Sequence, residues 1–342
     1  MTAPIKIGIA GLGRAGWGMH CRELQGKEDL FEIVAACDVI ASRRERMEER
    51  YGCRVYERIE DMIADPEVEL VDIATRSHDH HKHALMALAA GKDVFLEKPM
   101  CTTYQEAIEL KAASEQSAGN LYIRHNRRFD PDFLHVREII DSGILGEVYE
   151  IRLARHGYQR RDDWQTIKDY GGGQLLNWGP HVIDHALRFV DGAVASMYSA
   201  LKLIAAVGDA EDHIKIVIQG ENGRLIDLEI SGGVAIGSPT YLVFGKQGSL
   251  VLSGREIRLK YLDPEQELAP REANPGTPGE TFGQKEVLPW IEETIPVQAG
   301  SNAVIWDHLY RAIREGTTFP ISLDEAVQVM WVISATKEGT DF

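Results

Sequence analysis

The chain has no excess of basic residues, no paired-cysteine motif and no hydrophobic run long enough to cross a membrane. It carries 37 lysines and arginines against 53 aspartates and glutamates, a formal net charge of -16, which argues against nucleic-acid binding. The four cysteines show no C-x-x-C spacing, so we expect reduced thiols and neither a disulfide framework nor a zinc site. No signal peptide or membrane span is apparent, and the sequence therefore predicts a cytoplasmic protein.

A glycine-rich turn directly follows a short apolar strand, residues 5–10. Its sequence is Gly11-Leu12-Gly13-Arg14-Ala15-Gly16, and a predicted helix runs from Gly18 to about Gln25. This is the G-x-G-x-x-G fingerprint between a strand and a helix. The first glycine permits a tight turn, the second lets backbone approach a pyrophosphate, and the third allows close helix packing. We therefore predict that Gly11, Gly13, Arg14, Ala15 and Gly16 bind a dinucleotide.

The residue that ends the second predicted strand bears on which dinucleotide is bound. Asp38 follows strand 31–37 and lies 22 residues beyond Gly16, where an acid contacts the adenosine ribose hydroxyls. Its charge would repel a 2′-phosphate, so NAD is favoured. Arg43 and Arg44 keep NADP open, because a basic pair after this acid can bind that phosphate. The alternative for these arginines is a solvated helix face within residues 42–50.

Further strands and helices alternate along the first third of the chain. Strands at 70–74, 94–96 and 121–125, with helices at 79–90 and 104–117, predict a doubly wound parallel sheet over roughly residues 1–125. Thr75 and His80 are expected beside the cofactor, at the carboxyl end of the third strand. The cluster His78, His80, His81 and His83 invites a metal hypothesis. Those side chains do not converge on a helix and have no spaced partner ligand, so we expect no metal.

A second motif, Glu97-Lys98-Pro99, follows the strand at 94–96. It lies at the carboxyl edge of the sheet, where ligands bind in open α/β folds. Pro99 restricts Lys98 to an extended conformation, and an X-Pro bond can also be cis, which aims a side chain. The lysine can therefore point at a substrate. The alternative is a surface turn with an incidental Glu-Lys pair.

A third motif runs from Gly171 to Asp184, where three glycines lead into polar groups at helical spacing. If the segment is helical, Asn177, His181 and Asp184 share one face. That face is a candidate active-site wall, although such a trio is by itself more often a structural network.

These three motifs, together with Asn126-Arg127-Arg128-Phe129-Asp130, resemble in content and order the Gfo/Idh/MocA family of sugar dehydrogenases. The resemblance implies an α/β amino-terminal Rossmann domain, residues 1–125, and an α+β carboxy-terminal domain, residues 126–342, with a large, mostly antiparallel sheet. It also implies a homo-oligomer, dimer or tetramer, assembled through that sheet. Strand-like runs agree with this fold, at 148–155, 195–206, 213–219, 223–231, 240–244, 249–252 and 257–261. Residues 303–315 and 323–337 look helical, with Ser322 as a cap.

The resemblance also implies catalytic roles for Lys98 and His181 at the substrate carbinol. His181 would accept the hydroxyl proton, and Lys98 would hydrogen-bond the same oxygen and share in proton transfer if its pKa is lowered. Asn177 departs from the inositol dehydrogenases, which carry aspartate there, because an amide cannot relay a proton. We expect Asn177 to bind a substrate hydroxyl. Asp184 either orients the His181 ring and binds substrate, or makes a packing hydrogen bond.

The remaining site predictions concern both ligands. Glu97 is expected near the cofactor, and Arg128 is either near the cofactor or structural. Sugars expose hydroxyls and apolar C–H faces. The charged and aromatic residues that precede the glycine hinge, Gly171 to Gly173, therefore suit carbohydrate recognition. Its candidates are Tyr158, Arg160, Asp163 and Trp164, and the alternative is an exposed loop with one buried tryptophan.

The sequence thus predicts an NAD(P)-dependent dehydrogenase acting on a secondary hydroxyl of a sugar, polyol or sugar derivative, or reducing the matching ketone. Within the resembled family, two alternatives remain. A tightly held NAD can mediate redox-neutral chemistry, and a co-repressor uses the fold for sensing without catalysis. The pair Lys98 and His181 argues against such a regulator, since a sensor needs no proton acceptor.

Overall fold

The computed structural model describes residues 3–273, 275–276 and 286–342, and its first sheet is built from the amino-terminal third. Six parallel strands lie in the order β3-β2-β1-β4-β5-β6. Their bounds are β1 Ile5–Ala10, β2 Phe31–Cys37, β3 Arg54–Tyr56, β4 Leu70–Ile73, β5 Asp93–Glu97 and β6 Leu121–Arg124. The predicted doubly wound parallel sheet is confirmed. Strand β3 was not predicted, since three residues at a sheet edge leave no apolar run to recognise.

The helices that connect these strands are α1 Cys21–Glu23, α2 Ala41–Tyr51, α3 Ile59–Ile63, α4 His80–Ala89 and α5 Tyr104–Gln116. The first helix differs from the prediction, because a π-helical turn, Gly16–His20, precedes the single α-helical turn of α1. It starts at the last glycine of the fingerprint. The glycine turn and the helix therefore form one continuous segment at the carboxyl end of β1.

A helix from the far end of the chain completes the core of the first sheet. This helix, α9 Ile305–Glu315, buries Trp306 together with Ile5 and Phe95. The Trp306 ring lies edge-on to the Phe95 ring, with centroids 4.8 Å apart. The carboxy-terminal residues thus contribute to the amino-terminal core. The boundary between residues 125 and 126 stays a prediction.

The second sheet has eight strands in the order β14-β13-β12-β11-β7-β10-β9-β8. Its one parallel pair is β7 with β10, so the sheet is mostly antiparallel, as predicted. The strands are β7 Val148–His156, β8 Val194–Lys202, β9 His213–Gly220, β10 Leu225–Ser231, β11 Tyr241–Gly245, β12 Gly248–Ser253, β13 Glu256–Leu262 and β14 Trp290–Pro296. The edge strand β14 was not predicted.

Helices cover one face of the second sheet and join it to the first. They are α6 Pro131–Asp141, α7 Gln174–Asn177, α8 Gly179–Val190 and α10 Leu323–Lys337. Every residue of α8 except Arg188 is buried, so its polar side chains must find partners in the interior. Helix α10 begins at the predicted cap, where Ser322 and Glu325 form a capping box. Within the described residues, no helix has both the length and the apolar character needed to cross a bilayer.

Candidate active site

The glycine turn is shaped by close backbone contacts that exclude side chains. Gly11 has φ +88°, and a Cβ there would lie 2.5 Å from the carbonyl oxygen of Ala74. At Gly16 a Cβ would lie 2.0 Å from the carbonyl oxygen of Gly11. A Cβ at Gly13 would meet only the Arg43 side chain, at 3.8 Å, so the middle of the turn is open to a ligand. The turn therefore fits a pyrophosphate, with Arg14 exposed beside it and Ala15 inside the first helical turn.

Asp38 lies at the end of β2 and faces this turn. The Leu12 N–H donates to its Oδ2 at 2.8 Å, and the Ile40 N–H donates to its Oδ1 at 2.9 Å. Arg43 also donates to Oδ2, at 3.1 Å, whereas Arg44 donates to the Asp38 carbonyl oxygen at 2.7 Å. The acid is thus fixed where an adenosine ribose is expected. Arg43 is the arginine that stands beside it.

Neutralising Asp38 is expected to move the dinucleotide preference toward NADP. The Asp38→Asn protein keeps an acceptor for the Leu12 N–H but loses the charge that repels a 2′-phosphate. We expect the ratio of NAD to NADP dissociation constants to rise about tenfold, the size of one lost charged interaction. Fluorescence titration of the purified protein measures both constants. The control is Arg43→Gln, which should weaken NADP more than NAD, and an unchanged ratio in Asp38→Asn would contradict the assignment.

His80 and Thr75 follow β4, and both engage protein atoms. His80 is buried, with Nδ1 2.7 Å from the Pro99 carbonyl oxygen and Nε2 3.2 Å from the Thr75 carbonyl oxygen. Burial lowers its pKa, which favours the neutral ring. The Thr75 hydroxyl lies 3.1 Å from Nδ1 of His83. His80 therefore joins the ends of β4 and β5, which favours support of the site over direct cofactor contact. No group of metal-capable side chains was found in the described part of the chain.

Glu97 ends β5 inside a buried charge network. Its Oε1 accepts from Arg124 Nη1 at 2.6 Å and lies 3.1 Å from His20 Nε2, while Oε2 accepts from the Lys98 N–H at 2.8 Å. Although burial favours the neutral acid, Arg124 and His20 hold the pKa of Glu97 well below its ordinary value. Both oxygens are engaged within the protein. The geometry thus favours a role in fixing the Lys98 backbone over the predicted cofactor contact.

The network continues beneath the sheet edge. His20 Nδ1 lies 2.7 Å from Asp72, and although burial opposes protonation, Asp72 and Glu97 raise the pKa of His20 to about 9. Arg124 also pairs with Glu23, whose carboxylate accepts from the Trp306 indole N–H at 2.8 Å. The motif that carries Lys98 therefore rests on a charged, protonated network tied to helix α9.

Lys98 reaches from the end of β5 to the glycine hinge. The Lys98–Pro99 peptide is cis, and Lys98 Nζ donates to the carbonyl oxygen of Asn177 at 2.9 Å. Burial lowers the pKa of Lys98 to about 8 in spite of Glu97, and Arg14 and Arg127 act in the same direction. An ammonium with this pKa can both donate a hydrogen bond and exchange a proton near neutral pH.

The segment after the glycines forms two helices. The prediction of one continuous helix with Asn177, His181 and Asp184 on a single face was therefore wrong. Helix α7 ends at Asn177, Trp178 interrupts it, and α8 begins at Gly179 with Pro180 in its first turn. Gly173 has φ +105°, and a Cβ there would lie 2.2 Å from the Glu211 carboxylate. Glu211 Oε1 accepts from the Leu175 N–H at 2.9 Å. The Glu211 carboxylate therefore fixes the backbone of the glycine hinge. Glu211 was not among the predicted site residues.

Asn177 lies at the junction of the two motifs. Its side-chain oxygen accepts from Gln165 Nε2 at 3.3 Å, while its backbone carbonyl binds Lys98. A small cavity of about 20 Å³ opens here, lined by Ser77, Lys98, Pro99, Gln165, Gly171, Gly173, Leu176 and Asn177. The structure thus brings Lys98 and Asn177 together beside one cavity. Gln165 and Ser77 were not predicted, since neither lies in a recognisable motif.

His181 is buried in the first turn of α8. Its ring lies edge-on to the Trp178 ring, with centroids 5.7 Å apart, and its Nδ1 has no hydrogen-bond partner within the described structure. Burial, with Lys98 and Arg127 nearby, lowers the pKa of His181 well below its ordinary value. The imidazole is therefore neutral at pH 7 and has an acceptor nitrogen to offer.

Asp184 and Arg128 pair with each other and leave neither side chain to a ligand. Arg128 Nε donates to Asp184 Oδ2 at 3.0 Å, and Nη2 donates to Oδ1. The same guanidinium binds Glu325 and the carbonyl oxygen of Pro320, which ties α8 to the start of α10. Asp184 makes no hydrogen bond to His181 among the contacts the structure describes. The geometry favours the packing alternative for Asp184 and the structural alternative for Arg128.

The residues predicted to recognise a sugar, within 158–164, lie next to Gln165. Asp163 caps the turn Trp164–Thr166 and accepts hydrogen bonds from Nε and Nη2 of Arg161, and Trp164 is half-buried. Tyr158 and Arg160 are exposed, with Tyr158 bridged to Gly233. Arg161 also donates to Gln165, so this run supports Asn177 through one intermediate side chain. Direct substrate contact by these residues stays a prediction.

Two models of one protein family match this chain. A model of an oxidoreductase family with an NAD-binding Rossmann fold matches residues 5–125, and a GFO/IDH/MocA C-terminal domain matches residues 133–251. The chain belongs to the Gfo/Idh/MocA family of oxidoreductases. The resemblance noted from the motifs is thereby confirmed, and NAD(P) is the cofactor of this Rossmann domain.

Three similar proteins illustrate the breadth of the family. The NADP-dependent scyllo-inositol 2-dehydrogenase IolW of Bacillus subtilis is 27% identical over 98% of this chain and 94% of its own length. The D-glucoside 3-dehydrogenase of Escherichia coli is 30% identical over 54% of each chain. The solved structure of the oxidoreductase YvaA from Bacillus subtilis superimposes with a TM-score of 0.85 at 23% identity, covering 99% of this chain and 97% of that one. This last likeness shows the fold.

Proposed function

We propose that the protein is an NAD(P)-dependent dehydrogenase that oxidises a secondary hydroxyl of a sugar, polyol or sugar derivative, or reduces the matching ketone. The observation that carries the proposal is the contact of Lys98 Nζ with the Asn177 carbonyl, which joins the dinucleotide-binding sheet edge to the glycine hinge beside a cavity. Two of the similar proteins are dehydrogenases of cyclic polyhydroxy compounds, an inositol and a glucoside.

The residues around the first sheet fit a dinucleotide. Gly11 and Gly16 form a turn that no side chain could enter, and Asp38 is held at its edge by the Leu12 N–H. These groups would hold the pyrophosphate and the adenosine ribose. When bound, the nicotinamide supplies the hydride acceptor. The protein supplies the groups that bind the carbinol and move its proton.

Lys98 and His181 divide the work at the carbinol oxygen. The neutral His181 ring has an acceptor nitrogen and is suited to take the hydroxyl proton. The Lys98 ammonium donates a hydrogen bond to the same oxygen and stabilises the negative charge that develops on it. With a pKa of about 8, Lys98 can also pass a proton onward. Asn177 orients a hydroxyl without relaying protons, because its amide does not titrate.

The proposal is tested by screening inositols, free sugars, glycosides and sugar acids for NADH or NADPH formation at 340 nm. We expect release of reduced dinucleotide with at least one compound. Consumption of a sugar without net NADH would instead indicate redox-neutral chemistry with a tightly held cofactor. Dinucleotide binding with no sugar conversion of either kind would favour the non-catalytic regulator, which the retained pair Lys98 and His181 argues against.

A cytoplasmic location and assembly into a dimer or tetramer belong to the same proposal. The four free, buried cysteines support the first, since reduced thiols are typical of a reducing compartment. The second is supported by exposed aromatic side chains on the eight-stranded sheet, among them Tyr149 and Tyr198. Sedimentation of the purified protein reports the assembly directly.

A further inference from the structure

Two arginines from different parts of the chain converge on one indole next to the proposed base. Arg155 Cζ lies 3.8 Å from the centroid of the Trp178 ring, and Arg127 Cζ lies 4.5 Å from it. The same ring is edge-on to His181 at 5.7 Å. The two guanidinium groups thus share the Trp178 ring with His181, the proposed base.

Arg155 has an unusual environment for an arginine. It follows the buried residues Ile151 and Leu153 on the same face of β7, but it is exposed, and its guanidinium stacks on Trp178. No carboxylate pairs with it anywhere in the part of the chain that the structure describes. Partial desolvation, followed by the positive charge of Arg127, lowers the pKa of Arg155. Like charges in one region favour the binding of an anion.

The charges around the pair are positive in sum. Arg127 pairs with Asp130 at 2.7 Å, and Asp130 is also the acid that faces Arg155. Asp132 faces Arg127 too but is countered by Arg255, and the Lys98 ammonium is a further positive neighbour of Arg127. These four cations and two aspartates leave two positive charges, which favour an anionic group of the substrate.

We propose that Arg155, together with Arg127, binds a carboxylate of the substrate, so that the preferred substrates are sugar acids or polyol acids. This inference rests on the proposed dehydrogenase function. Stacking on Trp178 holds the Arg155 guanidinium plane in place, and a fixed planar fork binds a carboxylate through two parallel hydrogen bonds. The carboxylate then sets which carbinol of the same molecule reaches His181. It acts on substrate choice and leaves the hydride step itself unchanged.

Binding to the NADH-loaded protein tests this inference without requiring turnover. Isothermal titration calorimetry compares D-glucuronate with D-glucose, D-galacturonate with D-galactose, and D-gluconate with D-glucitol. We expect at least one acid to bind about tenfold or more tightly than its neutral partner, the size of a charge-assisted hydrogen bond. The Arg155→Gln protein should lose that difference, and Arg155→Lys should keep part of it.

The matched control is Arg152→Gln, since Arg152 lies on the opposite face of the same strand and pairs with Glu150. It should leave the preference for acids unchanged, and thermal unfolding of each protein checks that the fold is intact. Equal affinity for acids and neutral partners, tighter binding of glucose 6-phosphate than of every acid, or equal losses for both members of a pair in Arg155→Gln would overturn the inference. NADH formation from neutral sugars alone would do the same and leave the dehydrogenase proposal standing. Tight binding of an acid without any hydride transfer would uphold the carboxylate site and reject the dehydrogenase.

Discussion

Replacing Lys98 with methionine is expected to lower kcat for oxidation of the substrate about a thousandfold. Methionine keeps the apolar stem but removes the ammonium that would stabilise negative charge on the carbinol oxygen. Loss of one preorganised donor of this kind typically costs two to three orders of magnitude in rate. Initial rates of NADH formation at saturating dinucleotide and substrate measure the effect. The dissociation constant for NAD should change much less, because the glycine turn and Asp38 are untouched.

A second lysine of the same sheet provides the matched control. Lys92 precedes β5 and donates to the carbonyl oxygens of Asp65 and Val68. Like Lys98, it is a lysine whose ammonium binds backbone carbonyl oxygens. It lies at the amino end of β5, whereas Lys98 follows the carboxyl end of the same strand. Lys92→Met should leave kcat within about threefold and affect mainly stability. Equal kcat values for the Lys98→Met protein and the wild type would remove Lys98 from the chemistry.

Replacing Asp184 with alanine is expected to lower the free energy of unfolding by about 3 to 5 kcal/mol. Both side chains of the Asp184–Arg128 pair are buried, and removing one partner leaves an uncompensated charge in the interior. The remaining contacts of Arg128 to Glu325 and Pro320 place the expected loss toward the lower end of that range. Urea unfolding followed by circular dichroism measures it. The control Asp141→Ala removes an exposed acid, 3.6 Å from Arg137, and should cost under about 0.5 kcal/mol.

The same protein separates a packing role for Asp184 from a catalytic one. If Asp184 only joins α8 to the start of α10, the folded fraction of Asp184→Ala should retain kcat within about threefold. A loss of kcat by two orders of magnitude with unchanged unfolding would instead restore the earlier alternative, in which Asp184 orients His181. The bidentate contact with Arg128 leads us to expect the first result.

Local motifs of the first sheet could be predicted because their chemistry is local. The turn from Gly11 to Gly16 needs glycines for contacts within a few residues or with the next strand, and Asp38 follows directly from the end of β2. The doubly wound parallel sheet followed from alternating strands and helices, whereas the large antiparallel sheet was implied by the family resemblance. The edge strands β3 and β14 escaped, since neither carries an alternating apolar pattern strong enough to recognise.

The arrangement of the site could be predicted only in part. The spacing of Asn177, His181 and Asp184 suggested one helix, but the chain breaks at Trp178; Pro180 was the available signal, since proline favours the first turn of a new helix. The contacts that Glu97 and Asp184 make involve partners that are distant in sequence. Glu97 contacts Arg124 and His20, which lie 27 and 77 residues away in the sequence. No local sequence pattern predicts such contacts.

We propose that this protein moves a hydride between a carbinol carbon and a nicotinamide. The most direct measurement uses inositols, glycosides and sugar acids deuterated at their ring carbinols, with mass spectrometry of the dinucleotide after reaction. We expect the wild type to form reduced dinucleotide that carries one deuterium, and the Lys98→Met protein to form almost none. Conversion of the sugar with no deuterium reaching the dinucleotide would contradict it.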